Sequence, residues 1–388
     1  VLVVVRREAK RLALSNGKYV GECMSQEVSQ GVGPLQGNVT SLAMPSAPEL
    51  HRLRWERLEG LLLGIALGDS LGLPVETMTR DQIAAKHGKI RDFLSPSLNA
   101  FISREGELPI GGCSDDAQLT VAMFDAFAEA RGYSLEAVIE AHIKALGEST
   151  LGWGGSTRQG VEALRDGLRP GMSEFSARLG EGTGNAIPMK VAALAAWCVA
   201  IGRDPHTLGS EMSEISSLSH PNSVSVSAGL VHVAGLHYCL THSRDTFDAD
   251  EFLRVVVAAS EVGESYYPET LAATGSLTDR MRRVGTVGKA GAGAIIEAFG
   301  GGSCFVCNSL PFSYAFFAAD PFGAKTLYNV IEAGGDTDSN GAMVGGLQGA
   351  LLGKEIFNAE LLRRINGVDK LVRRVSEFYD CVSKRVVE

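Results

Sequence analysis

Glycines recur at intervals of four in two apolar stretches of this chain: Gly60, Gly64, Gly68 and Gly72, and again Gly341, Gly345, Gly349 and Gly353. Residues four apart lie along one stripe of a helix. Each interior glycine costs about 1 kcal/mol relative to alanine, so two such stripes need a compensating contact. The expected contact is close packing of two helices through a groove free of side chains. It has a functional consequence, because it lets the two helices bring their acidic ends together.

Apolar-periodic stretches of helical length surround these two, at 55–71, 117–130, 135–146, 189–201, 225–240, 250–262, 324–333 and 340–352. Short breaks rich in Gly, Pro, Ser and Asp separate them, and few alternating β-branched runs compete. The most β-like piece is 302–306. No linker divides residues 49–388, so the chain reads as one large all-α domain. Residues 1–48 lack sustained periodicity and are rich in Ser, Gly, Pro, Gln and Asn toward their end, which predicts a disordered N-terminal extension.

The chain has 388 residues, 45% of them hydrophobic, enough to bury a large core. Its net charge is −9, with 36 Lys plus Arg against 45 Asp plus Glu. That balance argues against nucleic acid and anionic membrane as partners. The apolar run 1–5, interrupted by Arg6 and Arg7, is too short for a signal sequence or a membrane span. Seven scattered cysteines suit a reducing compartment. A cytoplasmic location is therefore expected, with the basic residues Arg6, Arg7, Lys10 and Arg11 leaving organelle targeting open. Cys304 and Cys307 form the one close pair, and with no second pair to complete a zinc site they read as packing residues or silent thiols.

Carboxylates gather where helices begin or end. In Gly68-Asp69-Ser70-Leu71-Gly72-Leu73-Pro74-Val75-Glu76, Pro74 should end the helix and leave Glu76 on the loop beyond it. Gly111-Gly112-Cys113-Ser114-Asp115-Asp116 reads as a helix start, with Ser114 as N-cap and two acids in the first turn. Capping alone would account for that cluster, since acids there offset the helix dipole. Gly334-Gly335-Asp336-Thr337-Asp338-Ser339 leads into the second striped helix. It offers two carboxylates and a hydroxyl within four residues, oxygen ligands suited to Mg²⁺ or Mn²⁺. If the last two clusters meet, four carboxylates share a site and need cations to offset their repulsion. Two ions roughly 3.5–4 Å apart would fit that many ligands.

These pieces, in identity, order and spacing, resemble the ADP-ribosylglycohydrolase family, whose members include dinitrogenase reductase-activating glycohydrolases, vertebrate ADP-ribosylhydrolases and J1 crystallins. The likeness runs from about Arg57 to Leu352. The segment from Gly64 through Glu76 resembles the family's opening helix and acidic loop. Ser114-Asp115-Asp116 resembles its Thr-Asp-Asp motif, Gly184-Asn185-Ala186-Ile187-Pro188-Met189-Lys190 its Gly-Asn-Gly-x-x-Met-Arg segment, and Leu218-Ser219-His220 its Thr-His motif. Gly334 to Ser339 is similar to its most recognisable signature.

The resemblance implies a single orthogonal helical bundle with two Mg²⁺ ions, or Mn²⁺, in a central cleft. It assigns metal ligation to Ser114, Asp115, Asp116, Asp336, Asp338 and Ser339. Catalytic work falls to Glu76, Asp115, Asp116 and Asp338, and ADP-ribose contacts to Gly154, Gly155, Ser156, Thr183, Gly184, Asn185 and His220. The implied activity is hydrolysis of the glycosidic bond between ADP-ribose and a protein side chain or small-molecule adduct, by a monomer. The alternative is a crystallin-like or ADP-ribose-binding protein that keeps the cleft without catalysis. Several positions depart from the pattern. Ala117 stands where a second Thr is common, Ala186 replaces the second Gly, and Lys190 replaces Arg and loses its planar fork. The Asp that arginine-specific relatives carry before Gly-x-x-Thr-Arg is missing ahead of Gly154-Gly155-Ser156-Thr157-Arg158, which argues against ADP-ribosyl-arginine as substrate.

Among the remaining residues, His232 and His237 read as core or surface positions, and Trp153 as an anchor for its glycine-rich loop. Gly300-Gly301-Gly302-Ser303 lacks the Lys-Ser/Thr ending of a P-loop and reads as a turn.

Overall fold

The two glycine stripes meet. A Cβ added to Gly64 would stand 2.0 Å from the carbonyl oxygen of Gly345, one on Gly68 2.1 Å from that of Gly341, and one on Gly349 1.9 Å from that of Gly60. Residue numbers rise along one helix, Trp55–Gly72, as they fall along the other, Thr337–Leu352, so the pair is antiparallel. At one end the Thr337 hydroxyl donates to the Gly72 carbonyl at 2.7 Å. The missing side chains thus allow backbone contact, which offsets the low helix propensity of glycine. The same contact sets the C-terminus of the first helix beside the N-terminus of the other.

The computed structural model describes residues 53–180 and 182–385. The predicted extension, residues 1–48, lies outside them. The described fold is all-α. Its only β-type pairings among the described residues are two isolated bridges, Thr79 with Gly334 and Gly184 with Phe305. The β-like expectation for 302–306 is corrected accordingly. Gly300, Gly301 and Gly302 turn the chain with φ of 60°, 68° and 66°, Phe305 makes one bridge, and Val306 already begins the helix Val306–Ala319. Too little extended chain remains between turn and helix to build a strand.

Helix Ser223–Thr241 forms the centre of the core and packs against Ala249–Glu264, Ala192–Ile201 and Thr337–Leu352. It and Trp55–Val75 are long and apolar enough to cross a membrane, yet 89% and 94% of their apolar windows are buried within the protein. Their apolarity fills the core. Helix Asp115–Ala130 packs against Leu135–Glu148, and Val368–Arg385 covers it. Phe124 meets Phe378 edge-on at 5.0 Å, and Arg374 forks onto Asp125 beside them.

Candidate active site

Asp69 lies on the last turn of the first striped helix and is completely buried. Its carboxylate accepts from the Ser114 amide at 2.9 and 3.0 Å, from the Ser114 hydroxyl at 2.9 Å and from the Ala117 amide at 3.0 Å. Asp69 therefore caps the helix Asp115–Ala130 from another element. This corrects the expectation for Ser114. It occupies the N-cap position, but its side chain makes no capping bond. Its hydroxyl is committed to Asp69, and it does not line the cleft described below. Asp336, at the N-cap position of Thr337–Leu352, likewise makes no side-chain cap. The Asn185 amide instead donates to it at 3.0 Å and to Ser309 at 2.9 Å.

The glycine-lined contact and the Asp69 cap bring the acidic clusters together. Glu76, Asp336 and Asp338 each place a carboxylate oxygen within 4.8 Å of the others. Asp116 accepts from Ser339 at 3.2 Å through Oδ2, while its buried Oδ1 has no hydrogen-bond partner. Burial, and after it the charge of Asp69, raises both Asp115 and Asp116 well above the carboxylate range. Asp338 is raised by burial and by Glu76, Asp336 and Asp116. Burial, then Asp336, pushes Glu76 up to about 7, against a hydrogen bond from Asn99 that lowers it. Asp69 rises to about 6, burial outweighing its own hydrogen bonds. Crowded, desolvated acids of this kind favour either protons or bound cations.

Beside the acids lies a cleft of about 700 Å³, a size that accepts a nucleotide-scale ligand. Glu76, Asp115, Asp336, Asp338 and Ser339 line it, as do Gly154, Gly155, Ser156, Gly184, Asn185 and His220. Asp116 and Thr183 do not. Asp116 sits behind Ser339, and the Thr183 carbonyl accepts from the Val306 amide at 3.0 Å. Thr183 thus fastens its loop through its backbone to the helix Val306–Ala319. The loop at 152–155 is held by Trp153, whose indole donates to Gln118 at 2.7 Å, and the triple-glycine turn holds Asp336, whose amide donates to Gly302 at 2.9 Å.

A sequence model of ADP-ribosylglycohydrolases matches residues 50–385. The chain belongs to the ADP-ribosylglycohydrolase family. An uncharacterized protein of Archaeoglobus fulgidus is 26% identical over 308 residues, 76% of this chain and 87% of its own. The uncharacterized protein YegU of Escherichia coli K12 is 24% identical over 337 residues, 82% of this chain and 94% of its own. A solved ADP-ribosylglycohydrolase-related protein complex shares the fold, with a TM-score of 0.59 and 20% identity, over 85% of this chain and 99% of that one.

The departures from the ADP-ribosylglycohydrolase pattern have visible settings. Ala117 contributes its amide to Asp69, a bond that needs no hydroxyl. Lys190 is 1% exposed. Burial lowers it to about 8 while Asp115 opposes the shift, so a protein-borne cation lies within electrostatic reach of the acids. Burial and then Lys190 lower His220 to about 3, leaving a neutral ring in the cleft wall. Its Nδ1 lies 2.8 Å from the Ser219 hydroxyl.

Asp69 stood in the first acidic segment with no role assigned to it, and Asn99 and Cys304 were not read as site residues. Asp69 could have been found from its place on the last turn of a glycine-striped helix. Asn99, which touches Glu76, and Cys304, which lines the cleft, carry no such signal.

Proposed function

We propose that this glycosidase-type hydrolase is metal-dependent and cleaves the N- or O-glycosidic bond that joins ADP-ribose to a protein side chain or small-molecule adduct. The observation that carries this reading is the convergence of Glu76, Asp336 and Asp338 on one point in the wall of a nucleotide-sized cleft. The donor set fits hard divalent cations, since every group is an oxygen. The unpartnered, buried Oδ1 of Asp116 adds a lone pair that the protein itself leaves unused. Asp115, Asp116, Asp336, Asp338 and Ser339 would hold two Mg²⁺ ions, or Mn²⁺. Bound there, the cations supply Lewis acidity and offset the carboxylate repulsion.

The chain's own residues do the rest. Glu76 faces the cleft with Oε2 held by Asn99, and Oε1 accepts no hydrogen bond from a described residue. That oxygen is placed to orient a water and take its proton. Positive charge developing on the ribose as the leaving group departs is stabilised by Asp115 and Asp338. Gly154, Gly155 and Gly184, without side chains, leave backbone amides accessible to a diphosphate. A monomer working on ADP-ribosylated protein or a free adduct in the cytoplasm is the setting we infer.

The test is release of ADP-ribose from serine-, arginine- and O-acetyl-linked substrates with Mg²⁺ present. Release from the serine or acetyl adduct, with the arginine adduct the poorest, supports the reading. ADP-ribose binding without release from any adduct would replace it with a binding role.

A further inference from the structure

We propose that Asn99 is a positioning residue that holds Glu76 in the acidic cluster. The inference rests on the metal-dependent reading above and extends it to a residue no motif contains. Asn99 is 2% exposed and uses its whole amide. Its oxygen accepts from the amides of Phe101 at 2.8 Å and Ile102 at 3.4 Å, capping the short helix Ala100–Glu105. Its nitrogen donates to the Leu73 carbonyl at 3.0 Å and to Glu76 Oε2 at 2.6 Å. One side chain therefore ties a helix in the cleft wall to the turn that carries Glu76.

Glu76 needs such a tie. Asp336 and Asp338 stand at the start of a helix locked by glycine packing, whereas Glu76 follows the 3₁₀ turn Leu73–Val75. The residue after it, Thr77, has φ of 68°, which side-chain-bearing residues seldom adopt. The Thr77 amide donates to Gly335 at 2.7 Å, fixing the backbone there. The carboxylate itself has no described hydrogen-bond donor besides Asn99. Aspartate or serine would cap the helix as well as asparagine does, but neither offers an NH₂ group to both Leu73 and Glu76.

Asn99→Ser separates the two roles, because it keeps a capping hydroxyl and removes the reach to Glu76. In the full chain, calorimetric titration with Mn²⁺ should show Kd raised roughly tenfold, as expected when Glu76, whose carboxylate converges with those of the ligands Asp336 and Asp338, loses the partner that holds it there. The metal-free melting temperature should stay within a few degrees of wild type. kcat for ADP-ribose release should fall with KM little changed. In a Glu76→Ala background, the same substitution should leave Mn²⁺ Kd unchanged, because the group it acts through is gone. An unaltered Mn²⁺ Kd in the single variant, or an equal loss in both backgrounds, would overturn the proposal. Wild-type protein that binds no Mn²⁺ would overturn it together with the metal site. Wild-type protein that binds Mn²⁺ without releasing ADP-ribose would sink the reaction alone, and the Kd comparison would still decide the role of Asn99.

Discussion

Asp336 and Asp338 occupy a helix start, where carboxylates serve either the helix or an ion, and their surroundings distinguish the two roles. Neither Asp336 nor Ser114 caps with its side chain. A capping role predicts that Asp336→Asn and Asp338→Asn change stability by a few tenths to about 1 kcal/mol and leave turnover intact. The metal role predicts loss of the Mg²⁺-induced rise in melting temperature and turnover lower by orders of magnitude. It also predicts a metal-free melting temperature equal to or above wild type, since repulsion is relieved. Melting curves with and without Mg²⁺, beside a turnover assay, decide. A pH dependence follows from the same crowding. The folded pKa values of Asp69, about 6, and Glu76, about 7, lie above the unfolded values of roughly 4. Such groups stabilise the metal-free fold at low pH, and that contribution is lost as pH climbs from about 4 to about 7. Bound Mg²⁺ must displace those protons, so its stabilisation should grow across this window. The buried histidines His142 and His232, lowered to about 3, do not line the cleft and act in the opposite sense with or without Mg²⁺. A Mg²⁺-induced melting shift that is equal at pH 5 and pH 8 would contradict this. At this scale the acidic motifs were legible because each lies within a few residues of chain. The Asp69 cap and the Asn99 tie were not, because each joins groups 23 to 48 residues apart.

The pairing of the two striped helices controls where those residues meet. A methyl on Gly64 would fall 2.0 Å from the Gly345 carbonyl oxygen, so Gly64→Ala forces the helices apart. Overpacking of this kind costs about 1–3 kcal/mol and sometimes more, and the melting temperature should fall by several degrees. Mg²⁺ affinity should fall with it, because separation of the helices moves Asp338 away from Glu76. Gly147 provides the matched control. It lies in helix Leu135–Glu148 with nothing within 4 Å of an added Cβ, and Gly147→Ala should stabilise by up to about 1 kcal/mol. Thermal melts of the two variants check both signs. The period of four made this contact readable, since glycine at every fourth position has few uses other than close approach. Two features were less readable. The final helix Val368–Arg385 was not singled out, although its apolar face covers Asp115–Ala130. Residues 302–306 looked β-like because local composition carries no record of the three left-handed glycines that turn the chain just before them.

For the whole molecule, the all-α architecture followed from the sequence period, and membership of the ADP-ribosylglycohydrolase family rests on a match across residues 50–385. The bundle gathers its acids at one cleft by joining the end of its first helix to the beginnings of two others. That arrangement crowds buried carboxyl groups whose mutual repulsion the charge of the buried Lys190 only partly offsets. The reaction we propose is therefore conditional on divalent ions. The most direct measurement is the rate of ADP-ribose release from a serine- or acetyl-linked substrate by metal-stripped protein, followed while Mg²⁺ is restored. No release is expected in excess chelator, with a saturable return of activity as Mg²⁺ is added. A full rate in excess chelator would contradict the proposed dependence on metal.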